Sequence, residues 1–275
     1  ILAGVWNRTP ARAAALAGEL DCLAADSPAA LAARCDALVI CVSADADVLA
    51  VVEALLPGVR HGLLVLDTST IGAGTARLAA ARLAERGAEF LDCPVSGGVE
   101  GARDARLAIM CGGHALAFER AQTVLRCLGR TVTWFGESGA GQAAKAAIQI
   151  MCAGIIRAGG EALASARAQG LPLQKLVDCL GQGAGSSWYF VHRAPSMIEG
   201  RYPAGFRVRL HEKDLRICRE MAAASGVALP VVEDMLAEYA ELIRRGHGDE
   251  DISAVFRLKQ ELFENVDAAI TGTRG

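Results

Sequence analysis

Short apolar runs alternate with Ala-rich helical segments along the first half of the chain, and this alternation constrains the fold more than any other feature. Strands that alternate with helices of roughly ten to fifteen residues predict a parallel, doubly wound sheet. The run at 37–42 is apolar throughout, which is typical of a strand buried on both faces. The predicted strands are residues 2–6, 37–42, 63–67, 88–92, 107–111 and 131–135.

Helices are predicted between these strands, and two of them have clear start signals. Thr9 precedes Pro10 and Ser27 precedes Pro28, which places proline at the first helical position. Further helices are predicted up to about Leu56, over 73–86 and over 114–127.

The strand signal stops after Phe135. One long, Ala-rich and nearly uncharged helix is predicted from Gly141 to about Gln169, and we expect it to be buried between domains or subunits. The chain is therefore predicted to fold as an α/β domain over residues 1–137 and an all-α domain over residues 138–275. The other helices of the second domain are predicted at about 172–181, 187–198, 209–225, 230–245 and 251–268.

Composition argues against several classes of protein. The 275 residues are 52% hydrophobic and 21% charged, which suits two folded domains with large cores. A net charge of -3 argues against nucleic-acid and membrane-surface partners, and charged residues interrupt every long apolar run. The nine cysteines lack C-x-x-C and His-paired spacing, so we expect buried, reduced thiols in a cytoplasmic protein and no metal site.

Lysine is rare in this chain. Arginine does not release a proton near neutral pH, whereas lysine does so once its pKa is lowered. A lysine in this background is therefore a mild indication of proton-transfer chemistry. The lysines are Lys145, Lys175, Lys213 and Lys259.

The segment GAGQAA at 139–144 has the G-x-G-x-x-A spacing of a dinucleotide-binding fingerprint. That fingerprint needs a second parallel strand that ends in an acidic residue, but here Glu161 lies inside the same helix. We therefore interpret the glycines as a tight turn that leaves room for a ligand near the backbone. Lys145 then lies in the first turns of the helix, with Gln149 four residues later on the same face.

Polar loops follow the predicted strands at their carboxyl ends, the edge where open α/β sheets bind ligands. Asn7, Arg8 and Thr9 stand where an NAD-binding protein would have an acid, and Arg favours a 2′-phosphate there. A turn with a helix cap would use the same residues. The pairs at 42–43 and 69–70 lie on this edge as well, either as ligands of ribose and nicotinamide or as ordinary caps.

The segment DCPVSGG at 92–98 combines a proline with two glycines. The proline gives a stiff entry, and the Ser-Gly-Gly backbone exposes N–H groups that can meet a carboxylate. A plain turn is the alternative interpretation.

Five motifs resemble, in order, those of the β-hydroxyacid dehydrogenase family, which includes 3-hydroxyisobutyrate dehydrogenase and tartronate semialdehyde reductase. The resemblance implies a Rossmann-type domain that a long helix joins to an all-α domain, as in 6-phosphogluconate dehydrogenase-like proteins. It also implies NADP, with NAD as the other option, a small carboxylate-bearing substrate and a homodimer or homotetramer. The motifs are NRT at 7–9, DTST at 67–70, DCPVSGG at 92–98 with GA at 101–102, GAGQAAK at 139–145 and KDL at 213–215.

The same resemblance implies a role for each matching residue. Lys145 would be the acid/base that exchanges a proton with the substrate hydroxyl or carbonyl. Asn7, Arg8 and Thr9 would hold the adenosine-side phosphate, and Thr70 would lie near the nicotinamide ribose. The implied substrate-binding residues are Ser96, Gly97, Gly98 and Gln149, and the implied cofactor-binding residues are Asn7, Arg8, Thr9, Val42, Ser43, Thr70, Lys213 and Asp214.

The chain departs from the family pattern at two points. Gln149 replaces an asparagine and is one methylene longer, so we expect a shifted substrate position. The family's first strand and glycine-rich turn, a unit of roughly 25–30 residues, would precede NRT. We therefore expect an N-terminally truncated Rossmann-type domain that binds the cofactor poorly by itself.

Two other functions compete with this interpretation. An imine reductase resembles the same architecture, but such enzymes usually lack lysine at the proton-transfer position, so Lys145 argues against it. A catalytically dead fragment that acts as a dimerisation module would need only the long apolar helix.

Overall fold

A computed structural model describes the backbone of residues 2–272 and the side chains of residues 2–263. Residues 1 and 273–275, at the outer ends of the two predicted domains, lie outside the described residues. The chain divides into two compact units, the first of which ends at Lys145 and the second of which begins at Ala146. The predicted boundary between residues 137 and 138 lies on the N-terminal side of this division.

The first unit contains the strands. They are β1 (Gly4–Val5), β2 (Leu23–Ala24), β3 (Ala37–Ile40), β4 (Leu64–Asp67), β5 (Glu89–Asp92), β6 (Val95–Ser96), β7 (Leu107–Gly112) and β8 (Gly129–Gly136). The helices that connect them are α1 (Pro10–Leu20), α2 (Pro28–Ala32), α3 (Asp45–Leu55), α4 (Ala73–Ala84), α5 (Gly98–Arg103) and α6 (Ala115–Leu125). Both predicted helix starts are confirmed, and the Ser27 hydroxyl accepts a hydrogen bond from the Ala30 N–H at 3.1 Å.

The larger sheet has mixed direction. β3, β4 and β5 are parallel, whereas β7 is antiparallel to both β5 and β6 and parallel to β8. β1 and β2 form a separate, parallel two-stranded sheet. The prediction of a wholly parallel sheet is therefore wrong at β7 and β8, which run opposite to β3, β4 and β5. β6 has only two residues, too few to produce a readable alternation of apolar and polar side chains.

The two faces of β3 differ in burial, in contrast to those of β4. Leu38 and Ile40 are buried in one cluster with the apolar side chains of α3, but Val39 is 43% exposed. Burial of β3 on both faces is therefore a wrong prediction. All four residues of β4 are buried, because Val65 belongs to the cluster with α3 and α4 and Leu66 to the cluster with α6.

The second unit is helical, as predicted. Its core includes Ile156, Leu163, Tyr239 and Phe256, all fully or almost fully buried. A 3₁₀ turn at Ile252–Ala254 precedes the last helix. The helices are α7 (Ala140–Ala168), which starts in the first unit, α8 (Leu173–Leu180), α9 (Trp188–Ile198), α10 (Val208–Ala223), α11 (Pro230–Arg244) and α12 (Val255–Gly272).

Among the described residues, α7 alone is long and apolar enough to cross a bilayer by length and composition. A core helix passes the same test. Arg157 interrupts the apolar run of α7 and forms ion pairs with Asp234 and Glu238 of α11. Met151, in contrast, is 64% exposed.

The cysteines are less buried than predicted. Cys93, Cys111 and Cys218 are buried, but the same prediction is wrong for three others, which are exposed. The exposed cysteines are Cys41, Cys127 and Cys179.

Candidate functional site

The start of α7 is held against the carboxyl ends of β5 and β7. Gly139 has φ of +93°, which gives the tight turn predicted for these glycines. A Cβ on Gly141 would lie 2.5 Å from the Met110 carbonyl oxygen and 2.7 Å from that of Asp92. The predicted room for a ligand is therefore wrong at Gly141, because strand backbone fills that space.

Asp92, the last residue of β5, caps this helix start from a distant part of the sequence. Its Oδ1 accepts a hydrogen bond from the Gly139 N–H at 2.7 Å, and its Oδ2 accepts one from the Gln142 N–H at 2.9 Å. Burial raises the pKa of the Asp92 carboxyl, and the hydrogen bonds from the backbone N–H groups oppose that rise. These bonds satisfy donors that the first turn of a helix leaves without intrahelical partners.

Gln142 joins the same helix start to the loop after β4. Its Nε2 donates to the Ser69 carbonyl at 2.9 Å, and its Oε1 accepts from the Ile71 N–H at 3.1 Å. The Ser69 hydroxyl in turn accepts from the Val42 N–H at 2.9 Å, which connects the loops after β3 and β4. Backbone groups thus satisfy both the oxygen and the nitrogen of this buried side-chain amide, as is usual for buried polar groups.

Lys145 lies on α7 one turn beyond Gln142 and is the last residue of the first unit. It is only 6% exposed. Lysine is rarely this buried, and a buried ammonium needs polar partners or a function. The structure therefore places the predicted acid/base in a largely dehydrated position on a fixed helix.

The predicted carboxylate-binding segment follows β5 closely. Ser96 ends β6 and is half-buried, whereas Gly97 and Gly98 are exposed. Gly97 has φ of +135°, a conformation that a side chain would strain. The backbone of this segment is exposed, as the Ser-Gly-Gly pattern predicts.

The loop after β1 forms a turn and also presents an exposed cation. Asn7 Oδ1 accepts a hydrogen bond from the Thr9 N–H at 2.9 Å, so the turn proposed as the alternative role is present. Thr9 occupies the cap position of α1 but makes no side-chain capping bond. Arg8 is 72% exposed, and its Nη1 lies 2.8 Å from Oδ1 of Asp47 in the first turn of α3.

The loops after β3 and β4 lie at one edge of the sheet, because Ile40 and Asp67 are paired in register. Ser43 is exposed there and Thr70 is half-buried. Together with Arg8, which reaches the start of α3, these loops offer a guanidinium and hydroxyl groups. This donor set suits phosphate and ribose oxygens, so the residues present fit the adenosine side of a dinucleotide.

Asp67 is a second buried carboxylate at this edge. Its Oδ1 accepts from the Ser69 N–H at 3.0 Å, while its Oδ2 has no hydrogen-bond partner in the described part of the chain. Burial raises the pKa of Asp67 to about 7, and the negative charges of Asp92 and Asp45 add to this rise. Asp67 therefore titrates close to neutral pH.

The predicted residues of the second unit form one polar network. Gln149 Nε2 donates to Asp214 Oδ2 at 2.6 Å, and Lys213 Nζ lies 2.8 Å from Asp214 Oδ1. His211 contacts the Gln149 carbonyl oxygen at 3.3 Å through Nε2 and the Tyr239 hydroxyl at 2.8 Å through Nδ1. The structure thus brings Gln149, Lys213 and Asp214 together within this unit.

Comparisons with known proteins agree with this architecture. Residues 3–136 match the model of the NAD-binding domain of 6-phosphogluconate dehydrogenase. Residues 139–259 match the model described as NAD-binding of NADP-dependent 3-hydroxyisobutyrate dehydrogenase. An L-threonate dehydrogenase of Escherichia coli O6:H1 is 33% identical over 86% of this chain and 80% of its own length.

The chain belongs to the β-hydroxyacid dehydrogenase family. An NAD-dependent L-serine dehydrogenase of Pseudomonas aeruginosa is 34% identical over 75% of this chain and 72% of its own. A structure of Mycobacterium tuberculosis 3-hydroxyisobutyrate dehydrogenase with L-serine has a TM-score of 0.84 at 30% identity, covering 92% of this chain and 89% of the other.

The β-hydroxyacid dehydrogenase assignment confirms the predicted family, fold class and cofactor class. The chain is an NAD(P)-dependent oxidoreductase that acts on the CH–OH group of a hydroxy acid. The roles of individual site residues stay predictions. Sequence reasoning assigned no role to Asp92, Gln142, Asp67 or His211, although Asp67, Asp92 and Gln142 lie inside recognised motifs.

Proposed function

We propose that the chain transfers hydride between NADP(H) and a small β-hydroxy acid or its semialdehyde, with Lys145 as the proton donor and acceptor. The observation that carries the proposal is the burial of Lys145 on a helix whose start is hydrogen-bonded to Asp92 of β5 and to the loop after β4. That loop contains Thr70, and β5 leads into the segment with Ser96.

In the oxidation direction, the carbon that bears the hydroxyl loses a hydride and the hydroxyl oxygen loses a proton. The nicotinamide supplies the hydride acceptor when the cofactor is bound. Lys145, as the neutral amine, takes the proton as the carbonyl forms, and it returns a proton in reduction. A lysine amine starts near pKa ~10.4, so base work requires that the protein lower this pKa.

The substrate carboxylate is assigned to Ser96, Gly97 and Gly98. The exposed backbone of the two glycines and the adjacent hydroxyl offer several donors to one anion. Gln149, whose amide donates to Asp214, is assigned to the substrate as well. A fixed amide of this kind suits a small polar hydroxy acid.

The cofactor preference is assigned to the loop after β1. Arg8 is the exposed cation at the position where an acidic residue would select NAD, so we propose NADP over NAD. Val42, Ser43 and Thr70 complete the cofactor-facing edge in this proposal. Lys213 and Asp214 are proposed as further cofactor-binding residues.

We also propose a cytoplasmic homodimer or homotetramer without nucleic-acid or membrane partners. The support for a protein partner is that α7 is long and apolar, while only 28% of its most apolar window is buried in the chain. Light scattering on the purified chain measures the mass directly, and a monomer at all concentrations would contradict this proposal.

Replacement of Lys145 tests the catalytic assignment. General acid–base catalysis contributes roughly 10²–10⁴ in rate, so Lys145→Ala should lower kcat by at least 10²-fold while the NADPH dissociation constant changes little. Lys145→Arg should fail as well, because a guanidinium does not exchange its proton near neutral pH.

Lys175→Ala is the matched control, since Lys175 is an exposed lysine in the second unit. Turnover is measured from NADPH absorbance with a panel of small hydroxy acids, and cofactor affinity from NADPH fluorescence. The assignment is wrong if Lys145→Ala keeps more than about a tenth of the parental kcat.

A further inference from the structure

Two buried side chains of the first unit form hydrogen bonds with backbone near the proposed site. Asp92 accepts from the start of α7, and Gln142 bonds to the loop that contains Thr70. Both are at most about one per cent exposed, and neither is assigned to substrate or cofactor. Buried polar groups are usually satisfied, so their partners are informative about what they hold in place.

Gln142 holds the backbone on either side of Thr70. Its amide donates to the carbonyl of Ser69 and accepts from the N–H of Ile71, the two neighbours of Thr70 in the chain. Both bonds join groups more than 70 residues apart, with sequence separations of 73 and 71. The amide therefore fixes the Thr70 loop to α7.

Asp92 holds the other side of the same helix start. Its two carboxylate oxygens accept from Gly139 and Gln142, so both oxygens are engaged by the first turn of α7. Asp92 is also four residues before Ser96 in the chain. The carboxylate thus fixes α7 to the strand that leads into the proposed carboxylate-binding segment.

The first turn of α7 packs closely against the strands. A Cβ on Gly112 would lie 2.7 Å from both Asp92 Oδ1 and the Gly141 nitrogen. The first turn of the helix therefore rests directly on strand backbone. Lys145 follows Gln142 by three residues, which is about 4.5 Å along the helix axis.

We propose that Asp92 and Gln142 are positioning residues, which together set the location of the Lys145 amine relative to the Thr70 loop and the Ser96 segment. This inference rests on the proposed function of Lys145. Misplacement of a reacting group by about 1 Å can cost about 10²-fold in rate. The hydrogen bonds that hold the start of α7 should therefore affect the reaction rate as well as the stability.

Gln142→Leu tests the inference with a side chain of similar size that forms no hydrogen bonds. We expect kcat to fall by roughly 10²-fold with the hydroxy-acid KM and the NADPH dissociation constant within about threefold of the parental values. An equal loss in kcat and kcat/KM is the mark of an interaction needed in the transition state.

Gln142→Glu adds a readout that a purely structural role would not change. The ionised carboxylate of this variant would repel the Ser69 carbonyl, whereas the protonated carboxyl can donate to it. The ratio of variant to parental kcat should therefore rise as the pH falls from 8 to 5. A ratio that is flat across this range would overturn the role of the Gln142 amide.

Asp92→Asn is paired with Asp251→Asn, which alters a buried carboxylate of the second unit that also accepts backbone hydrogen bonds. Each should lose stability, at roughly the cost of an unsatisfied buried group, but only Asp92→Asn should lower kcat of the folded enzyme. Ser253→Ala, which removes one bond to Asp251, replaces the control if Asp251→Asn does not fold.

The inference is overturned if folded Gln142→Leu and Asp92→Asn both keep kcat within twofold of the parental enzyme. It is also overturned if Asp92→Asn lowers kcat no more than the control. Failure of the proposed function gives a different result, because Lys145→Ala would then retain turnover whatever the Gln142 variants do.

Discussion

The carboxylates of Asp92 and Asp251 make the same kind of contact in the two units, but they hold different parts of the chain. Both are buried, and each accepts hydrogen bonds from backbone N–H groups far away in sequence. Asp251 accepts from Gly205 and Phe206 through Oδ2 and from Ser253 through Oδ1. Asp92 accepts from the first turn of α7.

The two carboxylates accept similar hydrogen bonds, but the segments of the chain that they hold in place are different. Asp251 joins a loop before α10 to the 3₁₀ turn before α12, with Arg193 Nε at 3.8 Å from Oδ2. Asp92 fixes the helix that carries Lys145. Burial and hydrogen bonding alone therefore do not separate a residue that supports the fold from one that supports the reaction.

The largest difference between the two regions is expected from adding one methyl group to each. Gly141→Ala would place a Cβ against the strand backbone, and Gly205→Ala would meet the flexible end of Arg193. Overpacking against backbone should cost about 3 kcal/mol or more, whereas a movable side chain should make Gly205→Ala nearly neutral.

Thermal unfolding of the two alanine variants measures this difference. A loss of about 3 kcal/mol corresponds to a drop in Tm of roughly 6–12 °C for a chain of this size. If Gly141→Ala melts at the same temperature as Gly205→Ala, the helix start is not held as tightly as its contacts indicate.

The next largest effect on stability is expected at Asp67. This buried carboxylate has one oxygen without a hydrogen-bond partner among the described residues, whereas both oxygens of Asp92 and Asp251 accept hydrogen bonds. Its pKa is about 7 in the folded chain and about 3.8 in the unfolded one, so the folded state binds the proton more tightly. The free energy of unfolding should therefore fall as the pH rises from about 4 to 7. Over the roughly two pH units between pH 5 and pH 7, the loss amounts to about 2.7 kcal/mol.

Asp67→Asn removes this titration and keeps an oxygen for the Ser69 N–H. Urea unfolding at pH 5 and pH 8 should show the variant gaining stability relative to the parental chain at the higher pH. If the difference in unfolding free energy between the variant and the parental chain does not change with pH, the pKa of Asp67 is the same in the folded and the unfolded chain.

The smallest effect on stability is expected at the exposed pair of Arg8 and Asp47. An ion pair this accessible contributes at most about 1 kcal/mol, so its loss should leave folding almost unchanged. The cofactor preference should change instead. Arg8→Asp should shift the ratio of NADPH to NADH dissociation constants at least about tenfold towards NADH, or about 1.4 kcal/mol.

Asp47→Asn is the matched partner of Arg8→Asp. It releases the guanidinium from its carboxylate and should improve NADPH binding by up to about fivefold, the equivalent of the lost ion pair. Fluorescence titration with both nucleotides gives the ratios. An unchanged ratio in Arg8→Asp would remove the 2′-phosphate role from Arg8.

Sequence patterns predicted the local parts of this fold well. The prolines after Thr9 and Ser27 correctly predicted two helix starts, and the apolar runs predicted the longer strands. The strand β6 was missed because two residues are too few to show an alternation. The reversed direction of β7 was missed because an apolar run does not encode which strand it pairs with. Val39 was predicted to be buried because an apolar run does not reveal which layers cover a strand.

The contacts that position the candidate site could not be predicted, because they join residues far apart in the chain. Lys145 and Lys259 are both buried lysines, yet only the structure shows that Lys259 forms ion pairs with Glu161 and Glu238. Motif resemblance selected Lys145. The partners of Gln142 depend on how the loop after β4 meets α7, which no local pattern encodes.

The remote cap on α7 has a consequence for how the chain acquires its structure. A helix with a local cap can begin to form as soon as its own residues are available, but the acceptor for Gln142 N–H lies 50 residues earlier, on β5. Closing a loop of that length costs entropy before any bond is gained, so we expect the first turn of α7 to gain this cap only after β5 is in place. We therefore expect the amine of Lys145 to reach its final place after β5 has formed.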